Sequence, residues 1–473
     1  MSDPVAPAIM WFRRDPRLTD NPALAWAAHR GRPVIPVFVH DEEPGARPLG
    51  GASRWWLDKS LAALAVELEA KGSRLILRHG RAAEEIGRLA EETGAGAVAW
   101  NRLYEAGLAE RDGDLEAGLH KAGKLVFTGN ASLLLEPWAI KTKTGGRYQV
   151  FTPFWNAARP LIGQPKPEPA PRKLVAPSHW PSSERLSGWK LHPTRPDWSK
   201  GFADWKPGEV GAKARLKRFV DRALDDYPAG RDHPGLDGSS RLSPHLHWGE
   251  VGPRQVWAAL GSGAAADKFR AELAWREFNH HILFDRPKLA TVNLKREFDR
   301  LAWRDDPVGL EGWRRGRTGY PIVDAGMRQL WSEGFMHNRV RMITASLLVK
   351  HLLIDWREGE AWFWDTLVDA DAANNAANWQ WVAGSGADAQ PFFRIFNPVS
   401  QGERFDKDGV YVRRWVPELA RLPDKYLHAP WTAPAAALDA AGVRLGDNYP
   451  CPVVDPASGR QRALDAWAKL RRG

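Results

Sequence analysis

The sequence predicts two lobes of different class. These are an N-terminal doubly wound, Rossmann-like α/β domain over residues 1–130 and an all-helical domain over 205–473, joined by a linker at 131–204. Three features carry this prediction. Short apolar runs alternate with amphipathic stretches through the first 130 residues, the pattern of a parallel sheet flanked by helices. Residues 160–198 hold nine prolines, with Pro165, Pro167, Pro169 and Pro171 in alternation. Proline fixes φ and lacks an N–H, so that stretch reads as an extended connector. Beyond residue 205 the apolar residues recur at three-four spacing throughout.

Element by element, residues 9–12, 34–39, 75–77, 97–100 and 125–127 are apolar enough for buried strands. Between them, 21–29, 53–71, 82–93 and 109–122 carry helical spacing. Ser53 is the expected N-cap of the second helix, with Leu57, Leu61, Leu64 and Leu68 as its stripe. After the first strand stands Arg13-Arg14-Asp15-Pro16 rather than a glycine fingerprint, which disfavours a nicotinamide dehydrogenase. Helices are predicted at 210–224, 253–259, 266–283, 322–333, 338–353 and 360–367.

Composition narrows the function. Hydrophobic content of 43% with 26% charged residues excludes wholesale disorder, and a single cysteine, Cys451, excludes a disulfide framework or a thiolate-rich metal site. No secretion signal is visible, and no apolar run reaches the roughly 20 residues of a membrane span. A cytoplasmic protein is expected, without a membrane or an obligate protein partner, and monomeric. Lys plus Arg exceeds Asp plus Glu by 67 to 57, a balance suited to a polyanion but equally found in generally basic proteins. The 25 Trp against 7 Tyr are costly to pack, because each buried indole N–H needs a partner. The surplus points to stacking on planar ligands or to redox use of the rings.

Four segments could carry chemistry. Residues 232–244 combine small hydroxyl residues, free amides and Arg241, as a phosphate cradle would, although a capped Ser turn reads the same way. Glu272, Trp275 and Arg276 fall at three-four spacing, where a carboxylate, an indole and a guanidinium could address a base edge, a ring and a phosphate. Asn338, Arg341 and Met342 share another helical face, and the adjacent His337 reads as structural rather than catalytic. The run 369–381 mixes Asp369, Asp371 and Asn375 with alanines, a poor core but a good approach for a flat ligand. Asp369 and Asp371 lack a third ligand at metal spacing, so no metal is expected.

In their order these segments resemble the photolyase/cryptochrome family over nearly the whole chain. The resembling stretches are Trp11-Phe12-Arg13-Arg14-Asp15, Ser239-Ser240-Arg241-Leu242-Ser243, the run from Glu272 to Phe278, Gly319-Tyr320-Pro321 onward, and Asn378-Trp379-Gln380-Trp381. The resemblance implies FAD, active when reduced, held by Tyr227, Ser239, Ser240, Arg241, Leu242, Ser243, Arg276, Asn338, Arg341, Asp369, Asp371 and Asn375, with an Arg341–Asp369 ion pair beside the ring. It implies a tryptophan relay of Trp379, Trp356 and Trp303, and ultraviolet-damaged DNA as partner, associated with the nucleoid when bound. Arg231, Arg339 and Arg394 would hold phosphates, while Asn338 and Met342 would border the lesion. Trp275 and Trp381 would wedge against the flipped bases, and Glu272 would hydrogen-bond them.

Asn375 aligns with the residue facing flavin N5; an amide, unlike a carboxylic acid, cannot supply a proton there. With Asn338 and Met342 where six-four photolyases place two His, the resemblance points to the cyclobutane pyrimidine dimer and to class I. The long C-terminal tail of many cryptochromes has no counterpart after Leu470. A cryptochrome-like blue-light receptor without repair, or a flavin-containing DNA-binding protein, is the rival reading. A second, antenna chromophore is expected, as methenyltetrahydrofolate, a deazaflavin or a flavin. Tyr104-Glu105 is followed by Ala106-Gly107-Leu108 rather than by the family's Asn-Glu, so residues 10–15 and 40–54 are the expected places for it.

Overall fold

A computed structural model describes residues 6–43 and 47–472. Five parallel strands, β1 (Ala8–Phe12), β2 (Val34–Asp41), β3 (Ile76–Gly80), β4 (Ala97–Asn101) and β5 (Leu125–Gly129), form one sheet in the order β3-β2-β1-β4-β5. Every residue of β1 is buried, as a central parallel strand requires. Its side chains alternate: Ala8, Met10 and Phe12 join one core, Ile9 and Trp11 the other. Helices α1 (Pro22–Ala27), α2 (Gly51–Glu69), α3 (Ala82–Glu92) and α4 (Ala106–Lys121) supply the covering layers.

The expected stripe of α2 is buried at Leu57, Leu61, Leu64 and Leu68, but its N-cap is Gly50, not Ser53. A side chain at Gly50 would run into the Trp364 carbonyl, so the chain starts this helix where it touches the second lobe. Ser53 lies inside the first turn and faces inward.

The segment expected to be linker contains a helix, α5 (Phe151–Ile162). Its Phe151, Phe154 and Ala158 bury against Phe278 and Ile282, and this packing outweighs Pro160 in its last turn. Beyond it the proline-rich chain is extended and crosses the sheet edge, where the Val34 N–H donates to the Val175 carbonyl at 2.9 Å.

The helical lobe holds α6 (Glu209–Arg222), α7 (Tyr227–Gly230), α8 (Ser243–Trp248), α9 (Pro253–Ala259), α10 (Ala264–Asp285), α11 (Pro307–Arg314), α12 (Pro321–Glu333), α13 (Asn338–Ser346), α14 (Trp356–Thr366) and α15 (Ala372–Ala383), followed by shorter helices and a last one at Pro456–Arg472. The predicted helix 338–353 continues from α13 as one wide π turn, Leu347–Leu352. No helix among the described residues is long and apolar enough to cross a membrane.

Candidate active site

The loop after α7 returns to α8 through Ser239–Leu242. Arg215 on α6 gathers it, donating to the Ser240 carbonyl at 2.7 Å and the Ser239 carbonyl at 3.2 Å, while the Ser240 hydroxyl accepts from Leu242 N–H at 3.3 Å. Arg241 sits in the left-handed region at φ +50°, an uncommon conformation for a side chain of its size. Its guanidinium turns away from the loop: it pairs with Glu333 at 3.0 Å and packs over Trp205 and Phe335. This side chain is thus held in a structural ion pair. Ser239, Ser240 and Ser243 remain accessible at the loop surface. The helix that follows begins at Ser243, ten residues before the predicted one, and sequence periodicity had missed it because it is only six residues long.

Glu272, Trp275 and Arg276 share the α10 face but not one focus. Glu272 pairs with Arg231, which also lies over the Tyr227 ring at 5.3 Å. Trp275 stacks flat on Phe151, centroids 3.8 Å apart and planes within 5°. Arg276 donates to the Ser132 carbonyl at 2.7 Å and reaches Glu277 at 3.3 Å. Helical spacing placed the three correctly along α10; it carried no information about what stood opposite them.

In the run from Asp369 to Asn375, Asp369, Asp371 and Asn375 are buried and each is held by hydrogen bonds. Arg341 donates to both Asp369 oxygens at 2.8 and 3.1 Å, the expected ion pair. Asp371 is the N-cap of α15: its Oδ1 accepts from Ala373 N–H at 3.0 Å, Asn374 N–H at 2.7 Å and Asn374 Nδ2 at 2.8 Å. Its Oδ2 faces His247 at 3.4 Å and His280 at 3.5 Å. Burial by itself raises the Asp371 pKa, but the two imidazoles outweigh it and hold the group well below the ordinary carboxylate value. Asn375 donates from Nδ2 to the Glu360 carbonyl at 3.0 Å and to Glu360 Oε1 at 2.9 Å. Its carbonyl oxygen accepts no hydrogen bond among the described residues.

His337 caps α13 by accepting from Arg339 N–H at 3.2 Å, and burial pushes its pKa down to about 4, so the ring is a neutral structural group. Asn338 is exposed at the helix start; Met342 is half-buried beside Arg339.

Trp379 and Trp356 are buried in the largest core, and Trp303 borders it half-exposed. The Trp356 N–H donates to Asn293 at 3.0 Å. Trp379 lies against Gly359, where an added Cβ would come within 2.1 Å of the ring, and its aromatic neighbours are Phe363 at 5.0 Å and Trp313 at 6.0 Å. Trp381 borders this same core and Trp275 the one around Phe278, so the two expected wedge residues belong to different cores.

Of the arginines expected to hold phosphates, Arg231 is paired with Glu272, and Arg339 pairs with Asp232 at 2.7 Å and covers Phe405. Arg394 is exposed on the loop after α15 and makes no ion pair among the described residues.

At the C-terminal end of the sheet, the crevice between β1 and β4 is the topological switch point where doubly wound folds bind ligands. Arg13, Asp15, Asn101 and Asp112 fill it: Arg13 pairs with Asp112, and the Asn101 amide donates to Asn21 at 2.7 Å and to Asp15. Residues 10–15, one of the two expected antenna regions, are thus occupied by the protein's own side chains. Tyr104 donates to Glu136 at 2.7 Å and Glu105 pairs with Arg14. In the second region, His40 stacks on His79 and on Trp189, with ring centroids 5.3 and 5.2 Å apart. Residues 44–46 of that region lie outside the described residues.

Sequence reasoning missed Arg47, Glu360 and Gly359. Arg47 and Glu360 meet across 313 residues of chain, with no local pattern to announce them. A glycine in an otherwise regular helix was the available signal for the close approach at Gly359.

Family models match in two blocks, "DNA photolyase" over residues 8–172 and "FAD binding domain of DNA photolyase" over 269–469. The chain is 54% identical to the deoxyribodipyrimidine photo-lyase of Agrobacterium fabrum over the full length of both. It is 38% identical to cryptochrome-2 of Arabidopsis thaliana, covering 98% of this chain and 79% of that one. Among solved structures, a class III photolyase from Agrobacterium tumefaciens superposes with a TM-score of 0.96 at 53% identity, covering 100% of this chain and 99% of that one. An archaeal photolyase from Sulfolobus tokodaii carrying two FAD molecules gives 0.82 at 30% identity, covering 98% and 99%. With these relatives, the two-lobe architecture and the Arg341–Asp369 pair in place, the chain belongs to the photolyase/cryptochrome family.

Proposed function

We propose that this protein is a light-driven DNA repair enzyme that splits cyclobutane pyrimidine dimers, and that it is of class III rather than the class I expected from its sequence. The subclass rests on 53% identity across the whole chain to a class III photolyase. The observation that carries the activity is the amide of Asn375. Its nitrogen is committed to Glu360, which leaves an acceptor oxygen and no acidic proton on α15, six residues after the Asp369 that pairs with Arg341. That arrangement fits FAD: an oxygen acceptor suits the N5–H of the reduced ring, and the accessible hydroxyls of Ser239, Ser240 and Ser243 suit its phosphates. Reduced FAD supplies the single electron that light sends to the dimer.

The protein's own residues do the rest. Arg341 and Asp369 fix a charge pair at the ring, and Asp371 orders the helix that carries Asn375. Glu272 and Arg231 stand together where the lesion would enter, so Glu272 is held by its partner until a base edge takes a share of it. Flipping the damaged pair out of the duplex costs a few kcal/mol, least where pairing is already weakened, and so favours lesions. Arg394 is placed to take a backbone phosphate without first breaking an ion pair. Trp379, Trp356 and Trp303 run from the buried core to its half-exposed border and serve to restore the reduced flavin. A second chromophore would be held by His40, His79 and Trp189, the stacked rings at the sheet edge.

Ultraviolet-irradiated oligonucleotides incubated with pre-reduced enzyme in darkness and in blue light test the reading. Dimer loss only in the light is expected. Flavin photoreduction with no light-dependent dimer loss would make the protein a cryptochrome-like receptor instead.

A further inference from the structure

We infer that Arg47, supplied by the α/β lobe, is a positioning residue that sets which end of the Asn375 amide faces the flavin, acting through Glu360. The inference rests on the placement of Asn375 at flavin N5 proposed above and extends control of that position to the other lobe.

Arg47 and Glu360 meet fork to fork: Nη1 donates to Oε1 at 2.7 Å and Nη2 to Oε2 at 2.8 Å. Two parallel bonds fix the plane of the carboxylate, as a single bond from a lysine would not. The guanidinium is itself held, lying over the ring of Trp364 at 4.1 Å, one turn along α14 from Glu360. The Trp364 N–H donates to the Pro48 carbonyl at 2.8 Å, and the Gly51 N–H donates to Asp365 Oδ1 at 2.7 Å. The chain just after Arg47, at Pro48 and Gly51, is therefore tied to the helix that Arg47 reaches.

The Glu360 side chain is only 3% exposed, and its Oε1 serves both Arg47 and Asn375 Nδ2. With the Glu360 backbone carbonyl as second acceptor, both amide hydrogens of Asn375 are engaged on α14. The amide must then present oxygen on its other side. An amide oxygen accepts from the N5–H of reduced flavin. An amide NH2 in its place would favour the oxidised ring, whose N5 carries no hydrogen. Removing the half-exposed Arg47 cation leaves the buried Glu360 carboxylate without its charge partner, so that it shifts or draws in water. Each of these outcomes frees the Asn375 amide to turn.

The full-length, FAD-loaded protein is photoreduced and its reoxidation in the dark followed by absorbance, with the flavin midpoint potential as a second readout. Arg47→Met should reoxidise roughly tenfold faster, the factor set by about one lost hydrogen bond, at unchanged FAD content, and Arg47→Lys should fall between. In a Glu360→Gln background, Arg47→Met should add nothing. Parent-like reoxidation of Arg47→Met, with Asn375→Ser still altered, would overturn the inference. So would an Arg47→Met effect that persists undiminished in the Glu360→Gln background, since loosening of the lobes would then explain it. If Asn375→Ser also leaves reoxidation unchanged, the placement of Asn375 fails, and the inference with it. Should Arg47→Met fail to fold, Arg47→Lys with and without Glu360→Gln carries the same comparison.

Discussion

Replacing Asp371 with alanine separates two roles for a residue that resemblance alone makes a cofactor contact. In the structure its Oδ1 takes three donors at the start of α15, the helix bearing Asn375, Trp379 and Trp381. Losing an N-cap to alanine costs typically about 1 kcal/mol and up to about 2, and three donors place Asp371 near the upper figure. For a lobe of this size that is a fall in melting temperature of about 4–8 °C. Asp371→Asn keeps an acceptor oxygen and should fall by less.

The acid limb gives a second measure. The folded pKa is depressed, because His280 and His247 outweigh the burial that would raise it. Such a carboxylate adds stability at pH values above its unfolded pKa of about 3.9 and loses it as pH drops toward the folded value. The advantage of the parent over Asp371→Asn should accordingly be full near neutrality and shrink below about pH 4. Thermal melts from pH 7 downward, read by circular dichroism alongside released FAD, make the measurement. Asp371→Ala melting within about 1 °C of the parent while FAD is lost would refute the capping argument and give the carboxylate back to the cofactor.

Gly359→Ala should drive a methyl into the Trp379 ring, since a Cβ there would lie 2.1 Å from it; a loss of about 1–3 kcal/mol and slower flavin photoreduction are expected, and an unchanged melt would mean the ring has room to give. Trp303→Phe should slow photoreduction of oxidised flavin and spare repair by chemically pre-reduced enzyme; equal loss of both would contradict a relay ending at that border residue. DNA affinity should fall steeply with salt, and Arg394→Ala should flatten the log–log slope by about 0.9, the share of one phosphate. Arg339→Ala should flatten it less, because Asp232 already pairs with that side chain at 2.7 Å; equal changes would show that the pair opens freely on DNA.

The central strands β1 and β2 were legible as long apolar runs, while the edge strands β3 and β5 offered only short ones and are partly exposed. The helices of the second lobe were legible from three-four spacing, but α5 was masked by the prolines around it and α8 by its brevity. Of the site helices, α10 and α13 were located, while α7, α8 and α15 were not, and of the partners only the Arg341–Asp369 pair was expected. Trp275 stacks on Phe151 and Arg241 pairs with Glu333, partners that spacing along a helix or loop does not announce. Asp371 carried a readable sign, an Asp directly before a run of small helix formers, which is the signature of an N-cap.

The tryptophan surplus shows how composition alone misleads. Trp56, Trp205, Trp248, Trp313, Trp356 and Trp364 each donate the indole N–H to a protein acceptor, two of these bonds (Trp56 to Glu250 and Trp364 to Pro48) crossing between the lobes. These six are satisfied packing, and Trp379, Trp356 and Trp303 are the ones claimed for redox use.

Those cross-lobe bonds also bear on how the site is held. Trp56 and Gly208 N–H both donate to Glu250, at 2.9 and 2.7 Å, Leu18 N–H donates to Glu209 at 2.5 Å, and Arg47 holds Glu360. Glu209, Glu250 and Glu360 are each buried in the helical lobe and rely on donors from α2, from the loop after β1 or from the strap before α2. An isolated helical lobe would lose these donors and open the carboxylates to water, so that Glu360 in particular would no longer be held by Arg47. The α/β lobe is thus part of the scaffold of the flavin pocket as well as a platform for an antenna, and a fragment beginning near residue 205 is expected to retain FAD poorly even though all the residues proposed to touch FAD lie within it.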